Sequence, residues 1–417
     1  MAAVSPFDPI FKTRHGKAES FYTPAFRVEF GSSPNESMDP LFNVQSVSVK
    51  EAINQLGSFD ITVDAGDWAP KRGHFYLLPG DYVRIWMGYQ GPTGLFVMVT
   101  GRVASVTANF VTSGARTLKV RGVSGFDKLR DKPDTTNRRP GKDRKPPVKY
   151  SKLVQDIAIN YKATALIPAS VKSTEPAAER AGQANETDMA FLVRMAERRG
   201  YVVVFREFLP PPNPGTSKVG RSTGPPTRVI YFGPSNLLDD QTLQQMGDRD
   251  KRLQLKWGFS LVDFRPVINV SSSLWQEVDV SFWDRKAKKK TPLSYTLEDL
   301  WTQERGLNKD LFEASKNPAA FEAPRNQMGC SDASDTPVDT HDEAVDLARA
   351  RLRENFLGMV TADGTTAGLP ELRAGSRVDI TGTGLLDGPY FLTSVTHVLD
   401  DNGYQTQFTA RREKATS

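Results

Sequence analysis

The sequence predicts a mainly β chain with some α+β character: two similar antiparallel β-barrel (tube-like) domains and a small α/β module between them. Three observations predict this. From Gly368 to Arg412 short strands are punctuated by glycine. Val378 and Ile380 there alternate with polar residues, as do Tyr404, Thr406 and Phe408, so one face meets a core and the other meets water. The same grammar occurs once before: Pro79-Gly80-Asp81-Tyr82-Val83-Arg84-Ile85 matches Ala374-Gly375-Ser376-Arg377-Val378-Asp379-Ile380. Downstream, Gly94-Leu95-Phe96-Val97 parallels Gly388-Pro389-Tyr390-Phe391, and Gly101-Arg102-Val103 parallels the strand around Val395. Gly114 to Leu118 parallels Gly403 to Gln407. The third observation is a change from strand to helix periodicity at Tyr150, between the two copies.

In chain order, residues 1–18 are a polar, proline-bearing arm. Phe26 to Phe30, Val44 to Val49 and Phe59 to Asp64 are alternating strands, and with Tyr82 to Val120 they make a first β-domain over 19–127. Residues 128–149 interleave Lys and Arg with Pro133, Pro140, Pro146 and Pro147, a composition that builds no core and reads as a linker. The α/β module covers 150–235. Leu153, Val154, Ile157 and Ala158 stripe its first helix. Asn185-Glu186-Thr187-Asp188 caps a second, whose apolar face is Met189, Phe191, Leu192, Met195 and Ala196, and Gly200 stops it. Tyr201 to Phe205 is a buried strand whose hairpin partner is Arg228 to Phe232, across an exposed proline-rich loop at 210–227.

The second β-domain opens over 236–285, with a strand from Glu277 to Trp283. An irregular polar insertion follows over 286–339, with a weak helix at Leu297 to Trp301. Residues 340–412 hold a helix and the remainder of the domain, and 413–417 form a tail. Thr340 and Glu343 form a capping box. Val345, Ala348, Leu352 and Phe356 stripe the helix toward β-structure, and Arg349, Arg351 and Arg353 face outward. Asn402-Gly403 marks the last hairpin.

Composition excludes much chemistry. At 417 residues, 38% hydrophobic and 25% charged, the chain is long enough for two to four domains with substantial cores. A net charge of +5 is modest, and the basic 128–149 run holds no aromatic platform for stacking bases, so no direct nucleic-acid binding is expected. The single cysteine, Cys330, rules out an internal disulfide and a multi-cysteine zinc site. His15, His74, His341 and His397 have no metal-ligand spacing; Asp64 and Asp67 around Gly66 lack that of a calcium loop. Gly382-Thr383-Gly384 looks like the start of a dinucleotide loop but precedes a hairpin, so no helix N-terminus is there to hold phosphate. His397, inside a strand, reads as a satisfied structural residue. No catalytic residue, cofactor or metal site is expected, nor a membrane span. The N-terminus has no signal-peptide pattern, so synthesis in the bacterial cytoplasm is expected.

Four motifs in order resemble one family. They are Asp188 to Gly200, with Phe191 inside it; the strand ending Phe282-Trp283-Asp284 with trailing lysines; and Glu343 to Ala350 followed by Leu369-Pro370-Glu371-Leu372-Arg373-Ala374-Gly375. The last is the tail with Gly382, Gly384, Gly388, Tyr390, His397, Gly403 and Tyr404. Together they resemble the late-control-D baseplate hub proteins of contractile phage tails, related to the hub half of type VI secretion spike proteins and to hubs of extracellular contractile injection systems. The resemblance runs from about residue 20 to 412. It implies a homotrimer whose paired barrels form a pseudo-hexameric ring, stacked on a hexameric inner tail tube and facing a trimeric spike. With the chain ending at Ser417, the spike is expected to be a separate polypeptide and any wall-cleaving activity to belong to a partner. The loops at 128–149, 210–227 and 286–339 are expected to meet baseplate wedge components. Two other classes stand as alternatives: a tail-tip peptidoglycan-degrading enzyme using carboxylates of 286–339, and a nucleic-acid-binding module using 128–149.

Overall fold

The computed structural model describes residues 23–32, 38–41, 43–64, 77–90, 95–112, 114, 116–131, 148–174, 177–178, 183, 186–208, 226–238, 240–246, 253–268, 277–284, 288–303, 330–332, 338 and 340–413. The arm at 1–18, most of the linker at 128–149, the proline-rich 209–225 and 304–329 of the insertion lie outside the described residues.

A first unit contains β1 (Pro24–Gly31), β2 (Asp39–Pro40), β3 (Val44–Ala52), β4 (Ser58–Asp64), β5 (Tyr82–Tyr89), β6 (Leu95–Asn109) and β7 (Thr117–Ser124). A module follows with β8 (Val148–Lys149), α1 (Tyr150–Asn160), β9 (Thr164–Leu166), α2 (Ala169–Thr174), β10 (Ala177–Ala178), α3 (Asp188–Glu197), β11 (Val202–Phe208), β12 (Thr227–Gly233) and α4 (Asp240–Gln245). A second unit starts with β13 (Leu253–Lys256) and β14 (Leu261–Ile268). It is interrupted by β15 (Glu277–Asp284), β16 (Lys289–Thr296), α5 (Leu297–Gln303), β17 (Cys330–Asp332) and α6 (His341–Leu357). It resumes with β18 (Val360–Ala367), β19 (Arg377–Thr381), β20 (Gly388–Asp400) and β21 (Gly403–Arg412).

The two units are one design used twice. Neighbouring strands run β3-β4-β7-β6-β5-β1 in the first and β14-β18-β21-β20-β19-β13 in the second, and five of the six match in direction: β1 is antiparallel to β5, whereas β13 is parallel to β19. Both carry bulges at matching places: Val44/Ser46 on β3 and Leu261/Asp263 on β14, then Val103/Ser105 on β6 and Leu392/Ser394 on β20. Aligning either bulge gives the same equivalences across the sheet, Asp60 with Asp363, Thr62 with Thr365 and Arg121 with Thr409. The approach to β5 and β19 matches as well. Gly80 N–H donates to Val103 C=O at 2.8 Å, and Gly375 N–H donates to Leu392 C=O at 2.8 Å. Both glycines have positive φ, 102° and 88°, which a side chain at that corner would oppose. The expected pairing of Pro79–Ile85 with Ala374–Ile380 therefore holds residue for residue. Further along it shifts: Leu118 is equivalent to Thr406, and Gly101 to Tyr390, because β6 begins earlier than β20.

Closed barrels, expected from the sequence, are absent as ladders among the described residues. In the second unit the outermost strands β13 and β14 meet at a corner, with one isolated bridge, Trp257 to Leu261. The sheets merge instead. The front half of β20 pairs with β19 (Ile380↔Gly388 to Arg377↔Phe391), and its back half pairs with β3 (Ser394↔Ala52 to Leu399↔Val47). At 13 residues β20 outruns the 5-residue β19, and its remaining backbone groups need another edge. The result is a single sheet of 13 strands.

Each unit buries an aromatic ring over a glycine on the neighbouring strand. Phe59 lies over Gly122, where an added Cβ would sit 2.1 Å from the ring, and Phe408 lies over Gly364, at 2.3 Å. The module has its own core of Phe191, Leu192, Met195, Ile157 and Val203, as the helical stripes predict. β11 and β12 pair antiparallel from Val202↔Gly233 to Phe208↔Thr227. The N-cap positions are as read: Thr187 Oγ1 accepts from Ala190 N–H, and Thr340 Oγ1 from Glu343 N–H, which is the N-cap half of the expected box, each at 3.2 Å.

Three local readings change. β15, read as part of the second β-domain, pairs with β16 and β17 in a separate sheet, and the insertion holds β16, α5 and β17. Arg353 does not face outward; it is buried, because α6 also packs toward the module, where that guanidinium finds acceptors. The last hairpin turns at Asp401-Asn402, one residue before the expected pair, with Asp400 opposite Gly403.

Candidate assembly surface

Two buried ionic clusters hold the units and the module in one arrangement. β3 carries Glu51 under β20. Arg206, from β11, donates to its carboxylate at 2.7 Å; Arg373, from the segment before β19, donates at 2.9 Å and also chelates the other oxygen. The same guanidinia reach Ala374 C=O at 2.9 Å and Met98 C=O at 3.0 Å, so three parts of the chain share one carboxylate. Burial alone would raise the Glu51 pKa, but the two arginines outweigh it and hold it at about 2. His397, fully buried beside this cluster, has its Nε2 at 2.8 Å from Leu372 C=O and its Nδ1 near Tyr404 Oη (3.1 Å) and Thr406 Oγ1 (3.0 Å). Burial first, then the Arg373 charge, lowers its pKa to about 4, so the ring is neutral: Nε2–H donates and Nδ1 accepts.

The second cluster lies under the module. Glu413 accepts from Arg353 at 2.9 Å and from Arg411 at 3.3 Å, and Ser235 Oγ sits between them. Arg377 donates to Ser235 C=O at 2.5 Å and to Leu238 C=O. Burial would raise the Glu413 carboxyl, but Arg411, Arg353 and Arg377 lower it overall.

With the frame fixed, the outward face of the long sheet is polar and crosses both units without a break, through the β20–β3 junction. Two of its carboxylates are locally answered: Arg121 donates to Asp60 at 2.8 Å and Thr409 to Asp363 at 3.0 Å. Exposed apolar side chains are scattered, with Leu385, Ile159, Trp257 and Trp283 among them, and some of them stand on two strand edges. β14 has no strand on its outer side among the described residues, and Val262, Val267 and Ile268 on it are 69%, 55% and 47% exposed. Beyond Val103, β6 has no strand on the β5 side among the described residues; Phe110, just past its end, is 56% exposed. Large exposed side chains gathered at bare edges mark contact surfaces.

No group of three metal-ligating side chains occurs among the described residues, and no described helix is long and apolar enough to cross a membrane. The Gly382-Thr383-Gly384 turn is filled by the chain's own anion: Asp387 accepts from Thr383 N–H at 2.6 Å and Thr383 Oγ1 at 2.8 Å. Burial, the largest single influence on Asp387, would raise its pKa, but those bonds and the N–H groups of Gly382 and Gly384 together lower it. A shallow cleft between the module and α6 is lined by Tyr150, Arg199, Glu343 and Asp346, and its Arg199–Asp346 pair at 3.1 Å is already made.

The motif residues singled out in the sequence do not converge on one place. Phe191 is in the module core; Gly200 ends α3 against Ala350 of α6. Trp283 is half exposed on β15, and Asp284 ends that strand opposite Lys289. Pro370, Gly375, Gly382, Gly388 and Gly403 sit at the corners of the second unit. Tyr390 is buried there with its hydroxyl on Leu386 C=O at 2.9 Å; only His397 and Tyr404 touch one another. Arg373 lay inside a motif noted in the sequence but without an assigned role, and Glu51, Arg206 and Glu413 had no sequence signal, because each is an ordinary surface residue type until a distant segment covers it.

No protein-family model and no curated protein matches the chain. Solved structures do. The 43 kDa tail protein of prophage MuSo2 from Shewanella oneidensis superposes with a TM-score of 0.57 at 12% identity, covering 94% of this chain and 98% of that one. A tail protein from Neisseria meningitidis MC58 gives 0.56 at 14% identity, over 94% and 97%. The prophage tail protein gp18 from Listeria monocytogenes EGD-e gives 0.52 at 11% identity, over 94% and 95%. From the first unit through the module to the last strand, the chain has the fold of these phage tail proteins.

Proposed function

We propose that the protein is the structural baseplate hub of a contractile tail or injection machine: a homotrimer that joins the hexameric inner tail tube to a separate trimeric spike. The observation that carries this reading is the duplication, within one chain, of a strand order whose register matches over five strands. Three such chains present six equivalent units to a sixfold partner while remaining threefold toward a trimeric one. The two units curl at matching corners, which suits them to be staves of a ring. Such an adaptor works through complementary surfaces, and the locked interior with bare apolar edges supports a scaffold over an enzyme. The 128–149, 210–227 and 286–339 segments serve as contacts to baseplate wedge components, and the assembled particle is where the protein resides.

Light scattering on the purified chain, alone and with its spike and tube proteins, tests the proposal. A threefold mass that then co-elutes with tube and spike is the expected result. A chain that stays monomeric with its spike present would overturn the hub reading.

A further inference from the structure

We infer that a second copy of this chain docks by strand addition: the outer edge of β14 lies antiparallel along the bare back half of β6 of its neighbour, in the register that β3 and β20 already form within one chain. Closure of the resulting ring rests on the hub reading; the pairing itself rests on the duplicated register.

The two units supply their own template. β3 is to the first unit what β14 is to the second, and β20 is to the second what β6 is to the first. Inside the chain β3 covers the back half of β20 from Ser394↔Ala52 to Leu399↔Val47. The matching half of β6, Ser105 to Phe110, has no strand on that side among the described residues, and the outer side of β14 has none either. Transferring the register through the bulges sets Val106 opposite Ile268, Thr107 opposite Val267, Asn109 opposite Arg265 and Phe110 opposite Phe264.

Exposure follows the same map. Val47 and Leu399, which meet at the internal junction, are 0% and 7% exposed. Phe110, the equivalent of Leu399, is 56% exposed, and Ile268, the equivalent of largely buried Glu51, is 47% exposed. The apolar groups stand where a neighbour following the internal rule would cover them. The step is head-to-tail, and its repetition alternates first and second units around a ring until the accumulated rotation closes it. Pro266, equivalent to Val49, has no N–H, so the new ladder lacks one bond that the internal ladder has.

The donor pattern selects the test positions. Ile53 N–H donates to Thr393 C=O at 2.9 Å, so by alternation Val395 and His397 present their N–H groups to β3 and Thr396 does not. Their equivalents are Val106, Ala108 and Thr107. Thr107 and Val267 then form a non-hydrogen-bonded pair with Cα atoms about 4.5 Å apart, within disulfide reach. In a Cys330→Ser background, Thr107→Cys with Val267→Cys is expected to oxidise into covalent dimers and trimers seen on non-reducing gels. Ala108→Cys with Val267→Cys, one residue out of register and on opposite faces, is expected to give less than a tenth as much. Ala108→Pro removes an N–H that faces the bare edge; it should weaken self-association at least tenfold while leaving the melting temperature of the monomer in place. Trimers that form without the in-register cross-link, equal cross-linking of both cysteine pairs, or association untouched by Ala108→Pro would overturn the edge assignment and leave the hub reading standing. A chain that is monomeric even with its spike would overturn both.

Discussion

Glu51 and Ile268 occupy the same place in two copies of one strand order, yet one is a largely covered carboxylate gripped by two arginines and the other an exposed aliphatic. His397 and Ala108 are equivalent too; the first is fully buried and the second lies on a bare edge. The difference teaches that register and environment are separate properties of a sheet. Bulges and corner glycines set register within each unit, whereas environment depends on what arrives at the edge. In the second unit the β20 edge is covered by the chain itself, and in the first the corresponding edge has no strand beside it among the described residues.

The comparison breaks most sharply at its first pair. Glu51→Ala strips the shared acceptor from Arg206 and Arg373 and is expected to destabilise the chain by about 3–5 kcal/mol, the usual cost of orphaning buried charge. Ile268→Ala in the monomer should stay within about 0.5 kcal/mol, as exposed sites do. Urea unfolding of both variants reads the contrast, and equal losses would show that the two edges are alike after all.

Titration sharpens the second pair. His397 is held neutral, with its pKa lowered from 6.5 to about 4, so the unfolded chain takes up its proton first as pH falls. Its contribution is full above about pH 6.5 and is lost on the way down to about pH 4, on the order of 3 kcal/mol. Melting temperatures measured over that window should fall for the parent chain and fall less for His397→Gln. The Ala108 position contributes no such slope.

The smallest effect concerns α6, which the second unit has and the first lacks. In the first unit β3 turns into β4 within a few residues; in the second the matching connection holds a sheet and this helix. Thr340→Ala removes the acceptor for Glu343 N–H and is expected to cost about 1 kcal/mol by thermal unfolding. Thr340→Ser should restore most of it.

What the sequence revealed follows the same division. Caps at Thr187 and Thr340, the α1 and α3 stripes and the Gly80 and Gly375 corners were legible, because each is decided within a few residues. Alternation over Arg377-Val378-Asp379-Ile380 correctly placed Val378 and Ile380 inside, but it also implied a solvent-facing Arg377, which the module covers through Ser235 and Leu238. The merger of the two sheets was not legible at all. Nothing local in Val47 to Ala52 specifies Ser394 to Leu399 as its partner, and an unpaired edge has no compositional mark of its own. Closed barrels were expected because a curled sheet and a closed one share the same alternation.

The β3–β20 junction also orders events in time. Glu51 and Ser394, which meet there, are 343 residues apart in the chain. At ~5–20 residues per second, about 20–70 s of synthesis separates the appearance of β3 from that of the strand that covers it. The first unit cannot complete its sheet while it is being made, and its apolar edge must wait for almost the last strand. Assembly into a larger particle is thereby gated on completion of the whole polypeptide: a truncated chain lacking β20 would keep an uncovered edge at β3, fail to fix its geometry, and be excluded from any ring built by the same rule.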